Sequence, residues 1–409
     1  MMKRKTIRTV GEWLMPWIIG VGLLWILTGP AEAGQDDNVD TSAESAFEES
    51  TDLYDMSQIP RKVRKVVFRA SVYGKRGDHQ RAVDLLTDHL RNHPDQDHYL
   101  LRMHLAQNLA DLKNVDPGNV ALAKEEYRKA VMLEPDLDRA WFGLADAAYE
   151  LEDYELAGEA FANGYRTSPE RPVETYYFAG ASYLMADMPA EAFAIFDELV
   201  GGRIGSPQLK WYQGIIVAAA RMEQPERADE AVAHMTAGFP DDPEAWYLKY
   251  QHEAGKKDFR EAAVALNMVG FLRELTEAET KQLGDLYLVL GVPWLASQRY
   301  GMALGGEAGV EDYERLGSAL VAAHETEVAI EILSSALEEH DSRRLWSLLG
   351  DVHYLRQEYG PARDAFSRIA EEDETGRAWL MQGYCALELG EKEAALDLLA
   401  RATAYPDQA

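Results

Sequence analysis

The sequence has one cysteine in 409 residues, Cys385, so no disulfide can form within the chain. Basic residues are also scarce, because 41 Lys and Arg stand against 70 Asp and Glu, a formal net charge of −29. A field of that sign repels phosphate backbones and anionic lipid, which argues against nucleic-acid binding. Strand-type alternation of polar and apolar residues is missing too, so a β-sheet protein is not indicated.

Long apolar runs are absent except at the start of the chain. "MMKRKTIR" supplies positive charge, Trp13–Leu27 is mostly apolar, and "GPAEAG" offers an Ala-x-Ala cleavage site after Ala33. The run is short for a membrane span and contains Pro16. It predicts a signal peptide over residues 1–33 and a periplasmic protein. The alternative is an uncleaved inner-membrane anchor facing the periplasm, which would be the only membrane contact.

The next segment changes the sign of the charge twice. Between Gly34 and Gln58 there are eight carboxylates and no Lys or Arg, which predicts an acidic flexible linker over residues 34–60. After Pro60, "RKVRKVVFR" places five basic residues in nine. These are either a solvated face of the first helix or a surface that meets the acidic segment or a membrane.

Beyond Pro60 the chain is periodic, with small residues that recur at intervals of 33 to 41 positions. These ten anchors are Ala82, Ala123, Ala157, Ala192, Ala228, Ala262, Ala296, Ala329, Ala362 and Ala395. Around the third anchor, Trp141 and Leu144 precede it, and Phe161 and Pro169 follow it. This spacing resembles the tetratricopeptide repeat.

The resemblance implies two antiparallel helices per repeat. It predicts an all-α fold, a tetratricopeptide-repeat solenoid of about ten helix-turn-helix repeats over residues 61–409, wound as a right-handed superhelix. The longest interval, between Ala82 and Ala123, predicts a longer turn around "DLKNVDPGNV" within the second repeat.

In this family the first helix of each repeat lines a groove that binds peptides or partner helices. The corresponding candidates here are Phe142, Asp146, Tyr149, Tyr177, Leu184, Tyr247, Gln251, Lys281, Asp285, Asp351 and Tyr354. The alternative is that some of these rings pack between repeats. The positions that grip a C-terminal carboxylate in some family members hold Val67, Ser71, Leu101 and Leu105, so binding of chaperone tails is not expected.

Catalytic, metal and cofactor chemistry is not indicated. His79, His89, His93, His98 and His104 cluster in 26 residues, but a zinc site would need further ligands, so we expect helix-surface histidines and no metal. Cys385 has small and apolar neighbours, which predicts a buried thiol rather than a nucleophile. We therefore expect a non-enzymatic protein without a cofactor.

The predicted partner is a protein or peptide in the cell envelope. The layout of signal, linker and repeats resembles exported repeat proteins associated with TonB, ExbB and ExbD energy-transducing systems, which suggests a link to outer-membrane transport. The alternatives are a structural component of polysaccharide secretion or envelope assembly, and a regulatory subunit of a separate enzyme.

The last helix, "EKEAALDLLARATAY", has more apolar positions than one buried stripe requires. It predicts self-association, or a partner helix, at the C-terminal repeat. The alternative is that its charged residues already form an adequate polar face.

Overall fold

The computed structural model describes residues 59–305 and 308–405. The chain divides into two compact units, Met1–Met235 and Thr236–Ala409. Within the described residues every regular element is helical and there is no strand. The predicted signal peptide and most of the predicted linker lie outside the described residues.

The N-terminal unit is built from consecutive antiparallel helices. They are α1 (Arg61–Lys75), α2 (His79–Asn92), α3 (Tyr99–Asp111), α4 (Gly118–Leu133), α5 (Asp138–Glu150), α6 (Tyr154–Thr167), α7 (Val173–Met185), α8 (Pro189–Val200), α9 (Leu209–Arg221) and α10 (Pro225–Gly238), of which α10 crosses the division between the units. Consecutive helices from α1 to α9 contact one another, and first helices also touch in the pairs α1–α3, α3–α5 and α7–α9.

The C-terminal unit repeats the same plan. Its helices are α11 (Pro243–Gly255), α12 (Phe259–Leu272), α13 (Glu277–Val289), α14 (Pro293–Ala303), α15 (Val310–Ala322), α16 (Thr326–Glu339), α17 (Arg343–Leu355), α18 (Tyr359–Ser367), α19 (Arg377–Glu388) and α20 (Lys392–Ala402). Consecutive helices from α11 to α20 contact one another. None of the helices in the described part of the chain has the length and apolar content needed to cross a membrane.

Small residues and large rings explain why the helices pair. All ten predicted alanine anchors are at most 1% exposed, which confirms the predicted repeat phase. In several repeats, a glycine on the first helix leaves room for an aromatic ring from the second helix. A Cβ on Gly180 would lie 2.8 Å from Phe196 Cζ, and one on Gly350 would lie 2.8 Å from Phe366 Cζ. Because no Cβ is present, the two helix backbones approach closely and the ring fills the gap between them.

The predicted long turn of the second repeat is confirmed. It runs from Leu112 to Pro117, between α3 and α4. Asp116 accepts a hydrogen bond from the backbone N–H of Gly118 at 2.8 Å, and the Asn119 side chain donates to the carbonyl of Leu112 at 3.3 Å. The inserted residues are therefore held by local bonds.

The turn inside most hairpins contains one residue with left-handed backbone. Glycine holds this position at Gly77, with φ 79°, whereas Glu152 holds it with φ 59°. In both turns the following amide closes the helix end, as Asp78 N–H donates to Tyr73 O and Asp153 N–H donates to Ala148 O, each at 2.9 Å. Such a six-residue closure is the Schellman motif, in which glycine avoids the steric cost of a Cβ.

This turn geometry predicts opposite effects for two substitutions in the N-terminal unit. Glu152→Gly should raise the free energy of unfolding by about 1 kcal/mol relative to Glu152→Ala, because glycine adopts positive φ without strain. Gly77→Ala should lower it by a similar amount, since its Cβ would meet nothing within 4 Å and only backbone strain is added. Urea denaturation measures both. A change of the same sign in the two variants would contradict the assignment.

Candidate functional site

First helices of neighbouring repeats form a continuous side-chain layer in the N-terminal unit. Lys113, just after α3, pairs with Glu150 of α5 at 2.9 Å. The Tyr149 hydroxyl of α5 donates to the Met185 sulfur of α7 at 3.6 Å. We call the exposed side of α3, α5, α7 and α9 the first-helix face. It carries the groove candidates Phe142, Asp146 and Tyr149 of α5.

Asp146 is the chemically distinctive group of this face. Its side chain is exposed and forms no hydrogen bond or ion pair within the described ranges. Neighbouring protein atoms nevertheless exclude water from part of the carboxylate, and this desolvation raises the pKa of Asp146 to about 6. Glu150 raises the pKa further and Lys113 opposes the shift. An accessible but poorly hydrated carboxylate favours a partner that brings a cation or N–H donors.

Two half-buried rings flank Asp146 on α5. Phe142 packs on Gly164 of α6, where a Cβ would lie 2.4 Å from its ring Cε1. Tyr149 meets Tyr154 edge to face, with ring centroids 5.5 Å apart. Both rings are fixed on one side by α6 and keep part of their surface exposed. Rigid aromatic rings of this kind offer contact area at low entropic cost.

Tyr177 and Leu184 of α7 are buried, with 8% and 3% of their surface exposed. The Tyr177 ring lies 5.9 Å from the Phe196 ring, and the Lys210 ammonium sits 4.5 Å above it. For these two candidates the structure supports the alternative of packing between helices. Lys210 in turn pairs with Glu174 at 2.5 Å, which joins α9 to α7.

The charged candidates of the C-terminal unit bridge successive repeats. Lys281 pairs with Asp312 at 2.6 Å. Asp351 pairs with Arg377, also at 2.6 Å. Asp285 accepts a hydrogen bond from the Tyr300 hydroxyl at 2.6 Å and lies 3.6 Å from Arg315. These side chains are already occupied, so they stabilise the stack of repeats in the free protein.

The three remaining predicted residues, Tyr247, Gln251 and Tyr354, are half-buried in the same unit. Tyr247 lies 5.6 Å from the Tyr250 ring, and Tyr354 meets Tyr359 edge to face at 5.5 Å. The Tyr354–Tyr359 pair repeats the geometry of Tyr149–Tyr154 in the N-terminal unit. No unpaired carboxylate at the position of Asp146 accompanies it, because Asp351 is bound to Arg377.

A cleft that periodicity could not reveal opens beside α12, α13 and α14. It encloses about 450 Å³, with Leu283 at its floor and Phe271, Arg299 and Met302 among its lining. Phe271 is 82% exposed and Met302 is 69% exposed. Exposed apolar residues are common on protein surfaces, and the sequence signal for these positions is only their place on the outer side of a second helix.

Three of the clustered histidines have structural roles. His79 Nδ1 lies 3.1 Å from the Asn108 side-chain oxygen. His98 caps the start of α3, and its Nδ1 accepts a hydrogen bond from the backbone N–H of Leu100 at 3.3 Å. Burial lowers the pKa of His104 to about 4, so that side chain is neutral near pH 7.

Cys385 is fully buried in α19, as predicted. Burial raises the pKa of its thiol to about 11. The thiolate is therefore scarce at neutral pH, and the group behaves as a small apolar residue.

The fold defines a class of protein, an all-α protein of stacked helical hairpins. The tetratricopeptide-repeat family model matches residues 115–172, 314–376 and 362–409, so the repeats have the tetratricopeptide-repeat fold. Folds of this class present long surfaces to which protein partners bind. No curated protein sequence gives a significant match.

Several solved structures are similar to this chain. The MamA protein is 22% identical, with 39% of this chain and 89% of MamA covered and a TM-score of 0.36. A tetratricopeptide repeat protein from Parabacteroides merdae is 16% identical, and the match covers 64% of this chain and 100% of that protein with a TM-score of 0.33. A chain of the Naa15/Naa10 structure bound to HypK-THB is 14% identical, and the match covers 89% of this chain and 62% of that chain with a TM-score of 0.48.

Proposed function

We propose that this protein is a non-enzymatic scaffold that binds an extended peptide or a partner helix along the first-helix face of its N-terminal unit. The observation that carries the proposal is Asp146, an exposed carboxylate without an ionic partner whose pKa is nevertheless raised to about 6. Phe142 and Tyr149 stand beside it on α5. The ligand chemistry that fits is an apolar side chain next to a Lys, an Arg or backbone N–H donors.

The cellular setting belongs to the same proposal. The basic start, short apolar run and Ala-x-Ala site support export to the periplasm, with an inner-membrane anchor as the alternative. In that compartment the scaffold would serve an envelope assembly, and the layout of the chain favours TonB-linked outer-membrane transport. A role in polysaccharide secretion, or as regulatory subunit of an enzyme, is the competing proposal.

We also propose that α20 supports self-association or the docking of a partner helix. Leu396 of α20 is 71% exposed, and Leu387 of α19 is 46% exposed. Exposed leucines on both helices of the last described hairpin favour a contact with another helix. Light scattering of Leu396→Glu against the unaltered chain tests this, with helicity measured on both. The proposal would be wrong if both proteins are monomers at high micromolar concentration and the Leu396→Glu variant recovers the same partners as the unaltered chain.

Recovery of partners from envelope extracts tests the binding face. Full-length bait carrying Asp146→Asn or Tyr149→Ala should lose about tenfold in affinity for the partner that the unaltered chain retains, because a carboxylate or an anchoring ring is removed. Tyr354→Ala is the matched control, since it removes a ring from the equivalent edge-to-face pair of the C-terminal unit.

The pH dependence distinguishes Asp146 from a merely structural residue. Asp146 ionises as pH rises through about 6, so affinity for a cationic ligand should increase over that range. Asp146→Asn should bind weakly at every pH and show a flat profile. If Asp146→Asn and the unaltered chain retain the partner equally, or if only Tyr354→Ala weakens it, the proposed face is wrong.

A further inference from the structure

The first helix carries an unbalanced set of cations. Residues 59–77 contain seven Lys and Arg and no Asp or Glu, in a chain with a net charge of −29. We call the exposed side chains Arg61, Lys62, Lys65 and Arg69 the basic face of α1. Within the part of the chain that the structure describes, these four cations form no ion pair.

Several arginines elsewhere in the described chain pair with carboxylates of another element. Arg102 bonds Asp97 and Glu126, each at 2.7 Å. Arg273 lies 2.7 Å from Glu279. Among the described residues, the four cations of the basic face have no such partner, although the chain contains 70 Asp and Glu.

The repeat register shows what this face would contact. Arg69 lies thirteen positions before the anchor Ala82. The residue at that position is buried in most other repeats, at Leu144, Ala179, Ile215, Leu283, Leu316, Leu349 and Gln382, and half-buried at Ala110 and Lys249. Leu316, for example, shares a core cluster with Tyr300 of the preceding repeat. The basic face thus occupies the side of α1 on which a preceding element packs elsewhere in the fold.

The positive charges also destabilise α1 itself. Arg61 and Lys62 stand in the first turn of α1, where no acidic residue balances them. Positive charge at a helix N-terminus is unfavourable, and Lys65 and Arg69 repel each other one turn apart. A negatively charged covering element relieves both effects.

We propose that the acidic segment, residues 34–58, docks on the basic face of α1. Its eight carboxylates and lack of Lys or Arg match the charge of the face. Direct linkage to α1 gives it an effective concentration in the millimolar range, by order of magnitude. An anionic membrane, by contrast, would approach against the repulsion of the whole acidic chain.

Charge reversal in the full chain tests the contact. Lys65→Glu with Arg69→Glu, and separately Glu48→Lys with Glu49→Lys, should each lower the midpoint of thermal unfolding by about 2–4 °C at low ionic strength. All four substitutions together should restore most of that loss, because the charges again oppose each other. Carbodiimide, which joins adjacent carboxylates and ammonium groups, should link the acidic segment to Lys62 or Lys65 in the unaltered protein.

A matched control uses cations on the neighbouring helix. Arg81→Glu with Arg91→Glu on α2 should not be rescued by Glu48→Lys with Glu49→Lys. Losses on α1 that simply add, or unchanged midpoints, would overturn the proposal. So would binding of phosphatidylglycerol vesicles that requires Lys65 and Arg69 but is insensitive to the acidic segment. If the α1 variant fails to fold, cross-linking of the unaltered chain and of the Glu48→Lys, Glu49→Lys variant decides the matter.

Discussion

Replacement of Phe366 by alanine should lower the stability of the C-terminal unit by about 3–5 kcal/mol. Phe366 is fully buried in α18, in a cluster that includes Ala362, Ala378 and Cys385. Its ring fills the space left by the absent side chain of Gly350. Because each hairpin packs mainly on its neighbours, the helices around this ring have no other residue that can take its place.

Amide hydrogen exchange across α17–α19 measures the loss directly, since it reports local opening free energies. Phe271→Ala is the matched control, because the same atoms are removed from a ring that is 82% exposed in the same unit. We expect that control to change stability by less than about 0.5 kcal/mol. Comparable losses in the two variants would show that the Gly350–Phe366 contact does not hold the hairpins together.

The repeat phase was predictable because one physical requirement recurs in every hairpin. Two helices that cross closely need a small residue at the contact, and Ala82, Ala262 and Ala395 meet that need in widely separated repeats. The sequence therefore predicts which residues face a partner helix. The longer turn at 112–117 was predictable for the same reason, since only there does the interval between anchors lengthen by seven positions.

The surroundings of the candidate binding residues were less predictable, because periodicity shows which face of a helix a residue occupies but not which side chains of other helices cover it. Tyr177 occupies a groove position by spacing, yet Lys210 and Phe196 cover it. The pairing of Lys281 with Asp312 depends on how two helices are offset, and no local pattern records that offset. Unpaired and paired carboxylates look alike in a chain with 70 acidic residues.

The two units therefore use the same fold differently. In the C-terminal unit, Asp285 and Asp351 are engaged by Arg315 and Arg377 of the following repeat. In the N-terminal unit, Lys113, which acts electrostatically on Asp146, is paired with Glu150. A cationic partner could therefore pair with Asp146, whereas Asp285 and Asp351 already have cationic partners within the chain. That difference is why we propose α5 as part of a binding face.

Gly214→Ala should destabilise the N-terminal unit by about 2–3 kcal/mol, which is the opposite of the usual effect. Alanine in place of glycine inside a helix normally gains about 1 kcal/mol. Here a Cβ on Gly214 of α9 would lie 2.6 Å from three atoms of the Phe196 ring. That ring is 1% exposed and is already held against Gly180 of α7, so it has no room to withdraw.

Two further measurements isolate the contact. Gly301→Ala on α14 should follow the usual rule and gain stability, because its added Cβ meets nothing within 4 Å. In a Phe196→Ala background, Gly214→Ala should become neutral or favourable, since the ring that it strikes is gone. Urea denaturation of the four proteins in this cycle gives a coupling energy, which we expect to be about 2–3 kcal/mol. A coupling near zero would mean that the helices move apart freely, and that the ring between α7 and α9 does not set the spacing of the repeats that carry Asp146 and Tyr177.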